Sequence, residues 1–397
     1  MRIVTTTTEL QALCAELGAA PYVALDTEFM RDQTYWPKLC LLQAANRSTA
    51  AIIDPLAPGI ELAPLYKLLA DKAVMKVFHA ARQDVEIFFH QGKAIPEPMF
   101  DTQIAAMVCG FGEAASYETL VRRIAKADVD KSARFTDWSR RPLSHRQLEY
   151  AISDVTHLCE VYEYLSKELE RAGRRSWLEE EEAVLTDPKT YRLTPEHAWR
   201  RLRMRSGNKK FIAVAVALAA WREREAQARD VPRNRILKDE ALLEVAAHPP
   251  ADAEALNHTR ALPRGFGASR QGKALLEAVK AGLESPPPEE ALIQAHQRRG
   301  REPAPAALDL MKTLLRLRCN EFGVAPRLVA DSDDLERLAA GDDEGVSALH
   351  GWRAEVFGND ARKLREGRLA ISLRNGEAVI TETSGETSAP KQHAKTH

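Results

Sequence analysis

The chain has 397 residues, 45% hydrophobic and 28% charged, with a formal charge of −1. That is ordinary for a soluble globular protein with room for two or three cores. The longest apolar run, Phe211 to Trp221, is too short to span a bilayer, and the MRIVTTTTEL start lacks the apolar stretch of a signal peptide. Five scattered cysteines, never in C-x-x-C spacing, point to a reduced, cytoplasmic protein without a structural zinc site.

In chain order, the first 170 or so residues predict an α/β domain. Val23 to Phe29, Leu39 to Ala45 and Ala50 to Asp54 are short apolar strands, the last two joined by a turn at Asn46-Arg47-Ser48. Val74 to Phe78 is a fourth strand, followed by a helix from about Ala80 to His90 that Gly92 stops. Three strands followed by alternation with helices predict a mixed sheet with helices packed on it. Ser144 with Gln147 forms a capping-box pattern that opens a long helix to Ala172, ended by Gly173. Leu148, Ile152, Val155, Leu158, Tyr162 and Leu165 form its expected buried stripe.

A linker near Thr186 to Leu193 precedes a helix start at Thr194-Pro195-Glu196, and the rest of the chain is helical in pattern. Pro286 to Pro288 and the Arg298-to-Pro303 stretch break it in two. The expected organisation is therefore a domain over 1–190, small all-α domains over 205–285 and 303–375, and a polar, disordered tail over 376–397. Charge is unevenly spread. The 200–210 stretch RRLRMRSGNKK has no acid, while acids gather at 331–344. A basic stretch of this kind is either a solvated face or a track for a phosphate backbone.

Three short segments carry the chemistry. In Tyr22 to Phe29, Asp26 and Glu28 stand two apart on a strand and project to one face, whereas Val23, Leu25 and Phe29 face the other way. Alone, such a pair is as well explained by a solvated strand end. Asp84 opens a helix whose Val85, Phe88 and Phe89 are apolar, so it is either a partner of the helix dipole or a ligand. Tyr150 and Asp154 are four apart on the long helix, where the helical period sets them beside the buried stripe, facing a cleft. Tyr150 is either a packing residue or a group that orients a water. Carboxylates among apolar residues are costly unless a cation compensates them. A pair of divalent metals does so, and metals held by shared carboxylates hydrolyse phosphodiesters. An all-oxygen donor set suits Mg²⁺ or Mn²⁺.

With these segments in place the chain resembles the DEDD exonucleases of the tyrosine subclass, and among them the ribonuclease D family. Asp130-Lys131-Ser132, Asp137-Trp138 and Arg141-Pro142-Leu143-Ser144 leading to Tyr150 are similar to that family's approach to its third motif. Phe100-Asp101-Thr102-Gln103 and Leu42-Gln43 are similar to its inner segments. The resemblance covers about residues 20 to 165. It implies a ribonuclease H-like fold followed by paired helicase-and-ribonuclease-D C-terminal modules that bind nucleic acid.

Carried over residue by residue, it makes Asp26, Glu28, Asp84 and Asp154 the ligands of two divalent ions and Tyr150 the residue that positions the attacking water. The implied activity is 3′→5′ hydrolysis of RNA to nucleoside 5′-monophosphates, with tRNA precursors bearing single-stranded 3′ ends as the substrate class. No membrane or obligate protein partner is implied. Trp36, Tyr35 and Arg31 follow the first motif and are candidates to stack on and pair with the strand. Asp101 reads as the N-cap of a helix from Thr102 to Val108, and His79 and His157 as core or surface histidines. Two other readings use the same features: a DNA exonuclease with the same site, and a catalytically silent RNA-binding protein that kept the fold.

Overall fold

The computed structural model describes residues 1–130, 133–204, 208–297 and 303–383. Lys131, Ser132 and Arg205, all within segments quoted above, lie outside the described residues. The chain forms two compact units, each assembled from segments far apart in sequence. Met1–Asp101, Ala125–Tyr162 and Glu182–Gly300 make the first, and Thr102–Ile124, Glu163–Glu181 and the chain from residue 301 make the second.

The first unit is built on six strands: β1 (Arg2–Val4), β2 (Tyr22–Met30), β3 (Lys38–Ala45), β4 (Ala50–Ile53), β5 (Met75–Phe78) and β6 (Met99–Asp101). Their spatial order is β1-β4-β3-β2-β5-β6. β2 runs antiparallel to β3 and parallel to β5, which gives the expected mixed sheet. β1, β6 and the helix Thr7–Gly18 go beyond the elements read from the sequence. That helix had a legible signal, because Thr6 and Glu9 close a full capping box at its start.

Burial organises the sheet around β2 and β3, where Val23, Ala24, Leu25, Leu41, Ala44 and Ala45 are all inaccessible to solvent. Lys76 of β5 is also buried, and its ammonium donates to the carbonyls of Asp71, Val74 and Glu97 at 2.6 Å each. Three acceptors replace the water that burial removes. Burial nevertheless lowers its pKa, to about 8.

The long helix spans His145–Ala172 as expected, with the Ser144 backbone N–H donating to Gln147. Tyr162 lies against Tyr22 of β2, with ring centroids 4.6 Å apart, and against Phe100 of β6 at 4.8 Å. The buried stripe is rotated from the one predicted. Ala151, Asp154, Val155, Leu158 and Val161 are buried, whereas Leu148 and Ile152 are half-covered. Asp154 thus lies within the stripe rather than beside it.

Pro195–Arg201 is a 3₁₀ segment where a helix start was expected. The helix Lys209–Ala228 then begins at Asn208, whose side chain accepts from the Lys210 N–H. It forms the centre of an apolar cluster with the helices Asp239–Ala247 and Arg270–Glu284.

In the second unit, the helices Pro305–Phe322 and Ser332–Ala340 share a core with Trp352, Val356 and Phe357. The Trp352 ring stacks on Trp177, 4.4 Å between centroids. The expected disorder from residue 376 is corrected over Glu377–Glu382. That segment is strand β8, paired antiparallel with β7 (Leu369–Arg374). Ile371 and Ile380 are opposite each other and pack on the helical core, so a segment of polar composition is held by alternate residues on one face. Residues 384–397 lie outside the described residues.

Candidate active site

Asp26 and Glu28 extend from the C-terminal half of β2, where the pairing with β3 shifts register between Glu28 and Phe29. A β-bulge at such a place re-aims side chains, and bulges concentrate beside active sites. Asp154 approaches from the long helix. One carboxylate oxygen from each of Asp26, Glu28 and Asp154 lies within 4.8 Å of the others. Among the described residues this is the site where acids from two separate elements could share an ion.

Asp84 reaches the neighbourhood by a different route. The chain leaves β5 and turns at Ala80, whose φ of +60° is a left-handed conformation that non-glycine residues seldom adopt. Both carboxylate oxygens of Asp101, at the end of β6, accept from the backbone here: from the Ala80 N–H at 2.9 Å and the Ala81 N–H at 2.8 Å. Asp101 was expected to cap the helix it precedes. Its bonds to Ala80 and Ala81 hold the turn that starts the helix Arg82–Gly92, with Asp84 in its first turn. Asp84 is buried and accepts a hydrogen bond from the Thr27 hydroxyl. It stands outside the three-carboxylate cluster but close enough for its charge to act on Glu28, as that of Asp26 acts on it.

The electrostatics have one direction. Burial, and then repulsion from Asp26, Asp154 and Asp84, pushes Glu28 up to about 10. Burial and the Asp26 charge push Asp154 up to about 8, burial pushes Asp26 up to about 6, and burial with the Asp26 charge holds Asp84 well above the usual carboxylate range. Four acids are held close together against both solvation and charge. Arg134 is a cation that opposes this, lowering Glu28 and Asp154. A hard divalent cation fits this donor set, since it takes oxygen ligands and its charge reverses the cost of ionising them.

Tyr150 is half-buried and hydrogen-bonded to Asp154. Burial, and then the Asp154, Glu28 and Asp26 charges, raise its phenol further, so it is a neutral hydroxyl throughout the physiological range. Its ring lies 6.0 Å from that of Trp138, which is buried against Leu41, Ile52 and Ala151. Gln43 escaped assignment in the sequence beyond its place in a quoted segment. It is directly opposite Asp26 on β3, so the two side chains share a face of the sheet. It is fully buried, and its amide has no hydrogen-bond partner among the described residues. His79 is partly buried, and burial lowers its pKa. His157 lies 3.6 Å from Glu160 on the same helix.

Trp36 and Arg31, the expected substrate-binding residues, both have partners within the fold. Arg31 is engaged by a two-point ion pair with Glu86, at 2.9 and 2.8 Å. The Trp36 ring lies between Tyr35, 4.7 Å away, and His90, 4.2 Å away, and packs on the apolar cluster centred on Lys209–Ala228. Tyr35 is buried, with its hydroxyl bonded to Glu223, Arg233 and Gln227. The backbone N–H groups of both residues donate to Asp230 at 3.0 Å. This pair anchors the sheet to the first helical module. Trp36→Ala is accordingly expected to lower the melting temperature while leaving KM for RNA unchanged; a raised KM at unchanged stability would restore the substrate role.

Comparison with known proteins gives a consistent picture. A family model described as 3′-5′ exonuclease matches residues 1–170, and one described as the HRDC domain matches residues 212–279. The chain is similar to a ribonuclease D from Granulibacter bethesdensis, 48% identical over 96% of this chain and 97% of that one. It is also similar to a ribonuclease D from Jannaschia, 50% identical over 96% and 99%. Among solved structures it is similar to Escherichia coli RNase D, described as an exoribonuclease involved in structured RNA processing. There the TM-score is 0.77 and the identity 29%, covering 91% of this chain and 98% of that one.

Proposed function

The chain belongs to the ribonuclease D family of 3′→5′ exoribonucleases, and from that premise we propose how its own residues perform the hydrolysis and on what. Asp26, Glu28, Asp154 and Asp84 hold two divalent ions, Mg²⁺ or Mn²⁺. The observation that carries this is the approach of three carboxylates from two elements within 4.8 Å. Burial, and then the neighbouring carboxylate charges, raises the pKa of Glu28 and Asp154, a cost that a bound dication would offset. When bound, such ions supply Lewis acidity, easing deprotonation of the attacking water and offsetting charge on the leaving oxygen.

The remaining work falls to the protein. Asp26 and Glu28 are fixed by their strand and Asp154 by its helix, so the reacting phosphate meets a rigid frame. Tyr150, neutral and paired with Asp154, accepts a hydrogen bond from the attacking water and aims its lone pair at phosphorus. The water oxygen bonds to phosphorus, releasing a proton to solvent, as the bond to the 3′ oxygen of the preceding nucleotide breaks. That oxygen takes a proton from solvent, and a nucleoside 5′-monophosphate leaves. Tyr150→Phe, which keeps the ring against Trp138, is expected to lower kcat by about 10–100-fold with little change in KM. Unchanged kcat would remove Tyr150 from the mechanism.

We further propose that residues 1–190 carry the hydrolysis and that the helical modules at 205–285 and 303–375 hold structured RNA. On this reading the enzyme acts on tRNA precursors with single-stranded 3′ ends. The HRDC match to the first module supports the binding role. Arg200, from the basic stretch, pairs with Glu290 at the surface. The five cysteines form no disulfide, which suits the reducing cytoplasm, and among the described residues no helix is long and apolar enough to cross a membrane. Incubating a tRNA precursor, a single-stranded RNA and a DNA of the same sequence with the protein and Mg²⁺ tests the substrate. The expected order of rates is precursor tail and RNA well above DNA, with 5′-monophosphates as product; faster DNA cleavage would favour the DNA exonuclease reading.

A further inference from the structure

Phe135 is 91% exposed, an aromatic ring held almost wholly in water. Single exposed hydrophobics are common, but this one sits on a loop that is fixed at several points. On its N-terminal side Ala133 is buried, and its carbonyl accepts from the Thr136 N–H at 3.1 Å and the Thr136 hydroxyl at 2.7 Å. The Thr136 hydroxyl in turn accepts from the Gln147 amide at 3.1 Å. On its C-terminal side Trp138 is buried against Tyr150. Arg141 is bound to both oxygens of Asp54 at 2.7 Å and to the Cys40 carbonyl at 2.6 Å. Between these anchors Arg134 and Phe135 project, the guanidinium lying over the ring at 5.3 Å. The loop therefore presents a cation and an aromatic surface together, directly upstream of the helix that carries Tyr150 and Asp154.

The anchors on either side give the pair a direction. Ala133 and Trp138 are buried in one cluster on which Tyr150 packs, and Gln147 of the same helix holds Thr136, so the loop flanks the part of the helix that carries Tyr150 and Asp154. An RNA strand entering a nest of carboxylates is repelled, and a cation at the rim offsets that repulsion for a phosphate. An aromatic face beside a cation suits single-stranded nucleic acid, whose bases stack on aromatics irrespective of sequence. Arg134 covers one side of Phe135 and leaves the other side and the edge to solvent. The interaction is also electronically favourable, since the cation draws on the ring's negative face.

Resting on the exoribonuclease reading above, we propose that Arg134 and Phe135 form a clamp for the 3′-terminal segment of the RNA. Arg134 pairs with a phosphate next to the scissile one, and Phe135 stacks on a base. Trp36 and Arg31 were the sequence candidates for these two roles. In the fold Arg31 pairs with Glu86 and Trp36 packs on the first helical module, whereas Arg134 and Phe135 are exposed beside the Tyr150 helix.

The test uses the full-length protein, Mg²⁺ and a 5′-labelled single-stranded oligoadenylate. Phe135→Ala is expected to raise KM about tenfold with a much smaller change in kcat, Phe135→Trp to restore it, and Phe135→Leu to leave it raised. Arg134→Ala, placed in the Asp26→Asn background so that RNA is bound but not cut, is expected to reduce the slope of log affinity against log salt by about 0.7. Equal KM for Phe135→Ala and wild type, rescue by Leu as complete as by Trp, or an unchanged salt slope overturns the clamp. Phe135 would then be a surface for another protein or an idle exposed side chain. Those outcomes leave the enzyme cutting RNA. Failure of the exoribonuclease reading instead appears as wild-type protein that releases no 5′-monophosphate.

Discussion

Asp26→Asn is expected to remove hydrolysis while the RNA is still bound. The loss should exceed the about 10–100-fold that deleting an outer partner of a metal ligand costs, because Asp26 belongs to the carboxylate cluster itself. The substitution keeps the shape of the side chain and removes one negative charge from a group whose members already repel each other. The metal-free variant is therefore expected to fold at least as stably as wild type. Asp154→Asn should behave alike, as that carboxylate completes the same cluster from the helix. Turnover of labelled RNA, binding by fluorescence anisotropy and thermal melting, each measured on both variants, separate the outcomes. Wild-type turnover in either variant would refute the assigned site. Loss of binding along with turnover would make the defect one of substrate capture.

The second large effect is a dependence of stability on pH that divalent metal cancels. In the metal-free fold Asp26, Asp154 and Glu28 hold their protons up to about pH 6, 8 and 10, whereas the unfolded chain releases them near 4. Between these values the folded state binds more protons than the unfolded state, so stability falls as pH rises. The cluster's contribution is intact below about pH 4 and is lost stepwise as pH climbs through the three folded values. A bound dication reverses the balance, because it requires the ionised form and binds only the folded cluster. In EDTA the melting temperature should fall from pH 6 to pH 9. Mg²⁺ should raise it at both, and by more at pH 9. Activity should vanish in EDTA and return with Mg²⁺ or Mn²⁺. Glu28→Gln should flatten the metal-free pH profile, since Glu28 is pushed up to about 10. A melting temperature indifferent to metal at pH 9, or activity that survives EDTA, would refute the metal site.

How much of the site was legible depends on how local each piece is. The period of two along β2 placed Asp26 and Glu28 on one face, and the structure has them together with Asp154. Helical spacing put Tyr150 and Asp154 on one side of the long helix, and they are hydrogen-bonded. The same spacing misjudged the stripe by setting Asp154 outside it. A periodicity count assigns polar residues to the surface and has no means of knowing that other acids wait beneath the helix. Asp101 has a role that local spacing could not show: its carboxylate oxygens meet N–H groups brought from the turn after the neighbouring strand.

What sequence reasoning could not see is partners that lie far along the chain. Trp36 and Tyr35 look like stacking aromatics because they follow a catalytic motif, yet Glu223, Gln227, Asp230 and Arg233 claim them. Arg134 and Phe135 carried no signal of their own, because exposure and closeness to the acids are properties of a folded loop. The hairpin at Leu369–Glu382 was hidden by polar composition and becomes visible only when Ile371 and Ile380 are seen on the helical core.

By itself the sequence determined the four central strands of the sheet and the long helix, and which acids could serve a phosphodiester hydrolase, since those follow from periodicity and from the cost of burying charge. Only the tertiary structure decided which acids converge, how far repulsion raises their pKa values, and which cation and aromatic stand at the rim. Distance between side chains on different elements sets all three, and that distance exists only once the chain has folded.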